Sequence, residues 1–270
     1  MSEQIPPAAA GQADGAQVQS DAEDADLASS LAKLAQLAVG HGQQGLEDML
    51  SHVAVFATQA IPGADGAGLT LFENDRADTL VASATFVREI DAIQYGIGEG
   101  TCISAAAEGR TMRSGSLGGD PLWPHFGPRV GRLGVHSVLS LPLVGPGGVL
   151  GAMNVYAHRK NSFDDRAVQL GELFAVPAAI SVMNAQALTQ ARRLAVHLQG
   201  AMTTRATIDH ALGIIMSRAG CTADEAFYRL RGISQTDHLK VVQVARNIVN
   251  DAVKRARARH THTEMPDQRQ

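Results

Sequence analysis

Cysteine is nearly absent: the 270 residues include two, Cys102 and Cys221, far apart and neither beside a second Cys or His at metal-ligand spacing. A disulfide scaffold, a structural zinc and a CxxC redox pair are therefore disfavoured, and no metal is expected. Aromatic residues make up only 4% of the chain against 27 glycines, so the core should be built from small side chains. Residues 1–26 contain no Lys or Arg, six acids and no apolar block. They read as a disordered acidic arm and exclude a secretory or transit peptide. The one long stretch without formal charge, Leu133 to Ala157, carries Pro142, Pro146 and the turn Gly145-Pro-Gly-Gly148, which suits a hairpin and not a membrane span. A cytoplasmic protein with no membrane partner is the expectation. HExxH and P-loop patterns are missing too, and no catalytic residue is expected.

What is present divides the chain by charge. The net charge of −4 hides 10 Lys+Arg against 20 Asp+Glu over residues 1–187, and 12 against 5 over residues 188–260. A basic C-terminal segment on an acidic chain suits a polyanion partner, because Lys and Arg supply the salt-sensitive part of nucleic-acid binding. The length fits two domains at about 150 residues each.

Periodicity fills in the elements. Leu27, Leu31, Leu34 and Leu37 recur at helical spacing with Asp26 as the expected N-cap, and Leu46 to Ala60 repeats the pattern until Pro62-Gly63 stops it. The period then changes to two over 67–72 and 79–85, around the polar turn Glu73 to Arg76. A short helix over 87–94 leads into Gly96-Ile-Gly-Glu-Gly100. A short strand near 111–113, a helix around 123–133 and a strand pair over 137–144 and 149–157 follow. The expected first fold is an α+β sandwich with one antiparallel sheet. From Ser162-Phe-Asp-Asp165 onward the chain is helical. A seam at three and four residues runs through Ile180, Asn184, Ala187, Ala191, Leu194, Leu198, Ala201, Arg205, Ile208, Leu212 and Ile215. It predicts a long helix joining the domains and able to pair with a second copy, with a kink or restart at Pro177. Thr222 to Glu225 is a capping box opening a helix over 223–233, and 240–258 is a third helix whose first residues follow the polar turn 234–238.

Residues 198–250 resemble an ANTAR domain, matching at Ala201, Arg205, Ile208, Ala211-x-Gly213, Met216, Ala226, Leu230-Arg231, Lys240 and Ala245. Residues 27–187 resemble a GAF domain, on Ile61-Pro-Gly-Ala-Asp-Gly-Ala-Gly68, Tyr95-Gly-Ile-Gly-Glu-Gly-Thr-Cys102, Asp120-Pro-Leu-Trp-Pro-His-Phe126, Ser137 to Leu143, Gly151-Ala-Met-Asn154 and Ser162 to Asp165. The pairing is that of actinobacterial transcription antitermination regulators. The resemblances imply a GAF sensory domain over 27–187 and an all-α three-helix ANTAR domain with its linking helix over 188–258, and leave the arm 1–26 and a disordered tail over 259–270 outside them. Thr101 stands where Pro is frequent in GAF domains. Leu212 and His238 replace a common ANTAR Lys and Asn.

The ANTAR resemblance implies binding to stem-loops in nascent RNA, with unstacked loop bases held on a shallow surface while cations meet phosphates. Arg205, Arg218, Arg231, Lys240 and Arg246 are the candidates, Arg205 and Lys240 foremost; His210 and His238 could add hydrogen bonds. Ile208, Ile215, Met216, Phe227 and Leu230 belong to the expected core. The GAF resemblance implies an unknown small-molecule, redox or protein signal, with a ligand between sheet and helices. Thr70, Phe86, Tyr95, Cys102, Trp123 and Phe126 are the pocket candidates, and ordinary core is the competing reading of each. The sequence identifies no cofactor. A homodimer through the helical seam completes the expectation. Two rivals stand beside it: a GAF-sensing transcription factor reading DNA with Lys240 and Gln243, and a GAF-type redox enzyme, for which Cys102 lacks a resolving cysteine in its own domain.

Overall fold

The computed structural model describes residues 8–40, 45–73 and 76–263. The first residues of the expected arm, the centre of the 73–76 turn and the last residues of the tail lie outside that set. The chain divides into two compact units, Met1–Thr189 and Gln190–Gln270.

The first helix, α1 (Ala8–Gly40), starts well before Leu27, so residues 8–26 are helical and not a disordered arm, and Asp26 is not its N-cap. The segment is rich in alanine, the strongest helix former, and Gln17 and Gln19 donate to Asp21 and Glu23 one turn on. Arg166 then ties the acidic stretch down by pairing with Glu23 and Asp24. Next, α2 (Leu46–Ala60) has the expected bounds, because the Asp48 carboxylate accepts the Gly45 N–H at its start and Ile61 is extended before Pro62 at its end.

Five antiparallel strands, β1 (Gly66–Glu73), β2 (Arg76–Ala82), β3 (Met112–Ser114), β4 (Ser137–Gly145) and β5 (Gly148–Ala157), form one sheet in the order β2-β1-β5-β4-β3. Their period of two sorts side chains between two cores. Leu69, Leu71, Leu139, Leu141, Leu143, Met153 and Val155 face α1, α2 and the start of α6 (Asp165–Ala219). Val138, Ala152 and Tyr156 face α3 (Thr85–Ile97), α4 (Thr101–Glu108) and α5 (Phe126–Arg132), among Val87, Ile90, Cys102, Trp123 and Phe126. A helical layer thus covers each face of the sheet, the α+β sandwich the alternation predicts.

The Asp164 carboxylate caps α6 by accepting the Ala167 N–H at 2.8 Å. The helix then continues unbroken through Pro177, where a kink or restart is expected. Leu173, whose carbonyl loses its N–H partner there, is exposed, so water can take the missing donor's place. By length and composition α6 is apolar enough to cross a membrane, but half of its most apolar stretch is buried inside the fold, as in a core helix. Along the expected seam, Ile180, Leu194 and Leu198 are exposed, whereas Ile208, Leu212 and Ile215 pack on the core of the second unit.

In that second unit α6 leads to α7 (Ala223–Thr236) and α8 (Val241–Thr263) around buried Ala211, Leu230, Val244 and Ala245. Both helices outrun their expected ends: α7 takes in residues 234–236 of the expected turn, and α8 takes in residues 259–263 of the expected tail. Leu212 packs against this core, so the cation common at its position is exchanged for apolar contact. His238 has φ 54°, a left-handed conformation that Asn and His tolerate better than most residues. Phe227 is not core: it is 41% exposed. The capping box forms as expected, with Thr222 N–H donating to Glu225 at 2.9 Å and Glu225 N–H to Thr222 Oγ1 at 3.4 Å. Thr222→Ala should therefore destabilise the second unit by about 1 kcal/mol. Circular dichroism of the helices should show the loss. The fluorescence of Trp123, the one tryptophan, should report an unchanged first unit.

Candidate sensor interior and RNA interface

The helix-covered face of the sheet toward α3 and α4 carries polar side chains in an otherwise apolar layer. The register pairs Gly68 with Asn154 and Asn154 with Ser140, while Thr70 and Tyr156 share that face two residues away on β1 and β5. Tyr95 of α3 meets Cys102 of α4, with the Tyr95 hydroxyl 3.2 Å from Cys102 Sγ and Thr70 beside both. Asp91 of α3 accepts the Tyr156 hydroxyl at 3.1 Å. The glycine run makes the turn possible. Gly98 ends α3 at φ 68°, and at Gly100 a Cβ would stand 2.1 Å from Gln94 Oε1, the atom that accepts the Cys102 N–H at 2.9 Å.

Thr70, Tyr95 and Cys102 are thus brought together among the candidate pocket residues. Trp123 and Phe126 lie in the same apolar layer. The Trp123 indole donates to Ser104 at 3.0 Å, and Glu99 holds the loop by accepting the His125 and Phe126 N–H groups at 2.8 Å. Phe86 packs on the edge of that same layer, over Gly66 and tilted on the His158 ring at 4.8 Å. Sequence reasoning missed Asp91, Gln94, Asn154 and Tyr156. The usable signal was a period of two that puts Asn154 in phase with Ala152 and Tyr156 on a buried strand. Thr70 Oγ1, Gln94 Nε2 and both amide atoms of Asn154 are buried without a well-formed hydrogen bond among the described residues, although Thr70 lies close to Tyr95 and Cys102, and Asn154 to Asp91 and Cys102. Such atoms call for water or a polar ligand.

Burial shifts two ionisable groups of this layer toward their neutral forms. Burial pushes the Cys102 thiol up to about 11, against the Tyr95 hydroxyl, which lowers it. The neutral thiol dominates at physiological pH and is a poor nucleophile. Burial also pushes the Asp91 carboxyl up to about 7, opposed by the hydrogen bond from Tyr156. Among the described residues no group of three His, Cys, Asp or Glu side chains is placed to hold a metal ion.

In the second unit Arg205 and Arg218 lie on α6, Arg231 on α7, Lys240 just before α8 and Arg246 on α8, all exposed. Only Arg218 lines the groove of about 610 Å³ between α6 and α8, together with Asp209, His210, Gly213, Ile214, Ser217, Val249 and Ala252. Two exposed aromatics, Phe227 and Tyr228, the latter 72% exposed, sit one turn before Arg231 on α7. They present flat apolar rings to solvent within one turn of a cation.

Comparison with known families agrees with this layout. The GAF domain family matches residues 43–183, just over half of the chain. The chain belongs to the GAF family. The ANTAR domain family matches residues 196–249. A GAF domain is a sensor domain and an ANTAR domain an RNA-binding antitermination domain, so this GAF protein has the architecture of a signal-responsive regulator. Among solved structures, the GAF domain of a phosphoenolpyruvate-protein phosphotransferase from Coxiella burnetii is 18% identical, covering 61% of this chain and 97% of that one at a TM-score of 0.49. The free methionine-R-sulfoxide reductase from Neisseria meningitidis, solved with its substrate, is 15% identical, covering 63% of this chain and 93% of that one at a TM-score of 0.47. No curated protein matches the chain.

Asp91 gives the GAF domain a predicted pH response. Its folded pKa of about 7 lies above the ordinary 3.8, so the folded state keeps a proton that the unfolded chain releases. This group's stabilising contribution is full below the ordinary value, falls as pH rises through the window, and is gone above about 7. Wild-type protein should lose on the order of a few kcal/mol between about pH 4 and about pH 8 from this source. Asp91→Asn should remove most of that loss. Trp123 fluorescence melts of both proteins check it; the same pH-dependent loss in Asp91→Asn contradicts it.

Proposed function

We propose that this protein is a cytoplasmic, homodimeric regulator that binds stem-loops in nascent RNA through its ANTAR domain and favours antitermination when its GAF domain meets a signal. The observation that carries the reading is the ANTAR match over residues 196–249, on a segment where 12 Lys and Arg oppose 5 acids between residues 188 and 260. Arg205, Arg218, Arg231, Lys240 and Arg246 are all exposed, as phosphate contacts require, and Phe227 and Tyr228 add stacking surfaces. Uncovered apolar residues along α6 support pairing with a second copy. In the GAF domain the poorly satisfied buried atoms of Thr70, Gln94 and Asn154 support a polar ligand. A redox reaction at Cys102 is disfavoured, because its thiol is fully buried and protonated.

Fluorescence anisotropy with a labelled RNA hairpin bearing a short loop tests the reading. Wild type should bind it in preference to duplex DNA, and affinity should fall as salt rises. Arg205→Ala and Lys240→Ala should each weaken binding severalfold. Tyr228→Ala should cost about 1–3 kcal/mol, while Tyr228→Phe keeps the stacking ring and the affinity. Equal affinity for duplex DNA, or indifference to all of these alanines, contradicts the proposal.

A further inference from the structure

The GAF domain has an opening at the β2 edge of its sheet. Glu47 and Ser51 of α2, Val81 and Ala82 of β2, and Arg88, Asp91 and Ala92 of α3 line a cleft of about 340 Å³. That volume admits a molecule on the order of ten non-hydrogen atoms. Asp91 lines it from within, only 1% exposed, with Oδ1 held by the Tyr156 hydroxyl. Gly68 lets the carboxylate lie against β1: a Cβ there would stand 3.1 Å from Asp91 Oδ2.

The charges of the lining are distinctive. Two carboxylates, Glu47 and Asp91, share the cleft with one guanidinium, Arg88, and none of the three forms an ion pair with another described residue. A carboxylate buried without a cation is costly, and a charged hydrogen-bond donor entering the cleft would relieve that cost. Arg88 in turn can receive a carboxylate in bidentate fashion. Between the charges, Val81, Ala82 and Ala92 present a short apolar surface.

We propose that this cleft binds a small zwitterion of the amino-acid class, its ammonium group on Asp91 and Glu47 and its carboxylate on Arg88. The proposal rests on the reading of this domain as a sensor and names the chemistry it senses. Asp91 carries the event inward, because the oxygen that accepts Tyr156 belongs to the carboxylate the ammonium group would engage. Tyr156 lies on β5, in the middle of the sheet and on the face that holds Asn154.

The full-length protein would be titrated by calorimetry with alanine, valine, leucine and the other standard amino acids, and with the amines formed by removing their carboxyl groups. Trp123 fluorescence melts of the same samples report the GAF domain. At least one small apolar amino acid should bind and raise the melting midpoint, with its amine at least about tenfold weaker. Asp91→Asn and Arg88→Ala should each weaken binding by about tenfold or more. Arg88 is exposed, so its variant keeps the test valid if Asp91→Asn disturbs folding. No binding by any amino acid, binding unchanged in both variants, or an amine that binds as well as its parent overturns the proposal. RNA affinity measured on the same protein separates the two readings. A chain that binds hairpins but no amino acid loses only this inference, whereas one that binds an amino acid but no RNA loses the antitermination reading.

Discussion

One helix has to serve two hydrophobic cores. Near its start, α6 buries Leu170, Phe174, Ala178 and Val182 against the sheet, and near its end it buries Ala211 among α7 and α8. Between them the same backbone carries Leu194, Val196, Leu198 and Met202 in the open, each well over half exposed. Scattered exposed apolar residues need no explanation, but a succession along one helix supports the proposed pairing with a second copy. The chain has no glycine or proline between Pro177 and Gly200 to end the helix, and the backbone hydrogen bonds of a helix are satisfied without tertiary help.

The GAF domain answers a different constraint, how to hold polar groups in a dry layer. Strand alternation sends Thr70, Asn154 and Tyr156 to the face covered by α3 and α4, where Asp91, Tyr95 and Cys102 meet them. Had every one of these found a protein partner, the layer would be a structural network. The poorly satisfied atoms of Thr70, Gln94 and Asn154, together with a carboxylate that reaches an edge cleft, support the proposed sensing role instead. Burial holds the Cys102 thiol in the protonated, weakly nucleophilic form, which favours the proposed sensing role over redox chemistry.

Much of the fold could be read from spacing. The bounds of α2, the pairing of β4 with β5 and the capping box at Thr222 follow from local signals that act within a few residues. What escaped the sequence depends on longer range. Residues 8–26 look like an acidic arm by charge, but alanine content and the hold of Arg166 on Glu23 and Asp24, far along the chain, make them helical. Pro177 reads as a breaker, and the exposure of the preceding turn lets it pass. Phe227 looked apolar enough for the core, but its register on α7 turns it outward, while Ala226 and Leu230 take the buried positions. In the GAF interior, Thr70, Tyr95 and Cys102, which the structure brings together, are three of the six residues that the family resemblance offers. Asp91 is not among them, because a single acid on a helix resembles a solvated surface residue until its burial is known.

The proposed regulator depends on a second copy covering the open stretch of α6, so that an intact helix joins sensing to RNA binding. Amide hydrogen exchange over residues 188–206 tests it most directly, measured across a range of protein concentrations. The account predicts strong protection there that rises with concentration. Rapid exchange that ignores concentration would mean that these residues stand alone in water, and the account would be wrong.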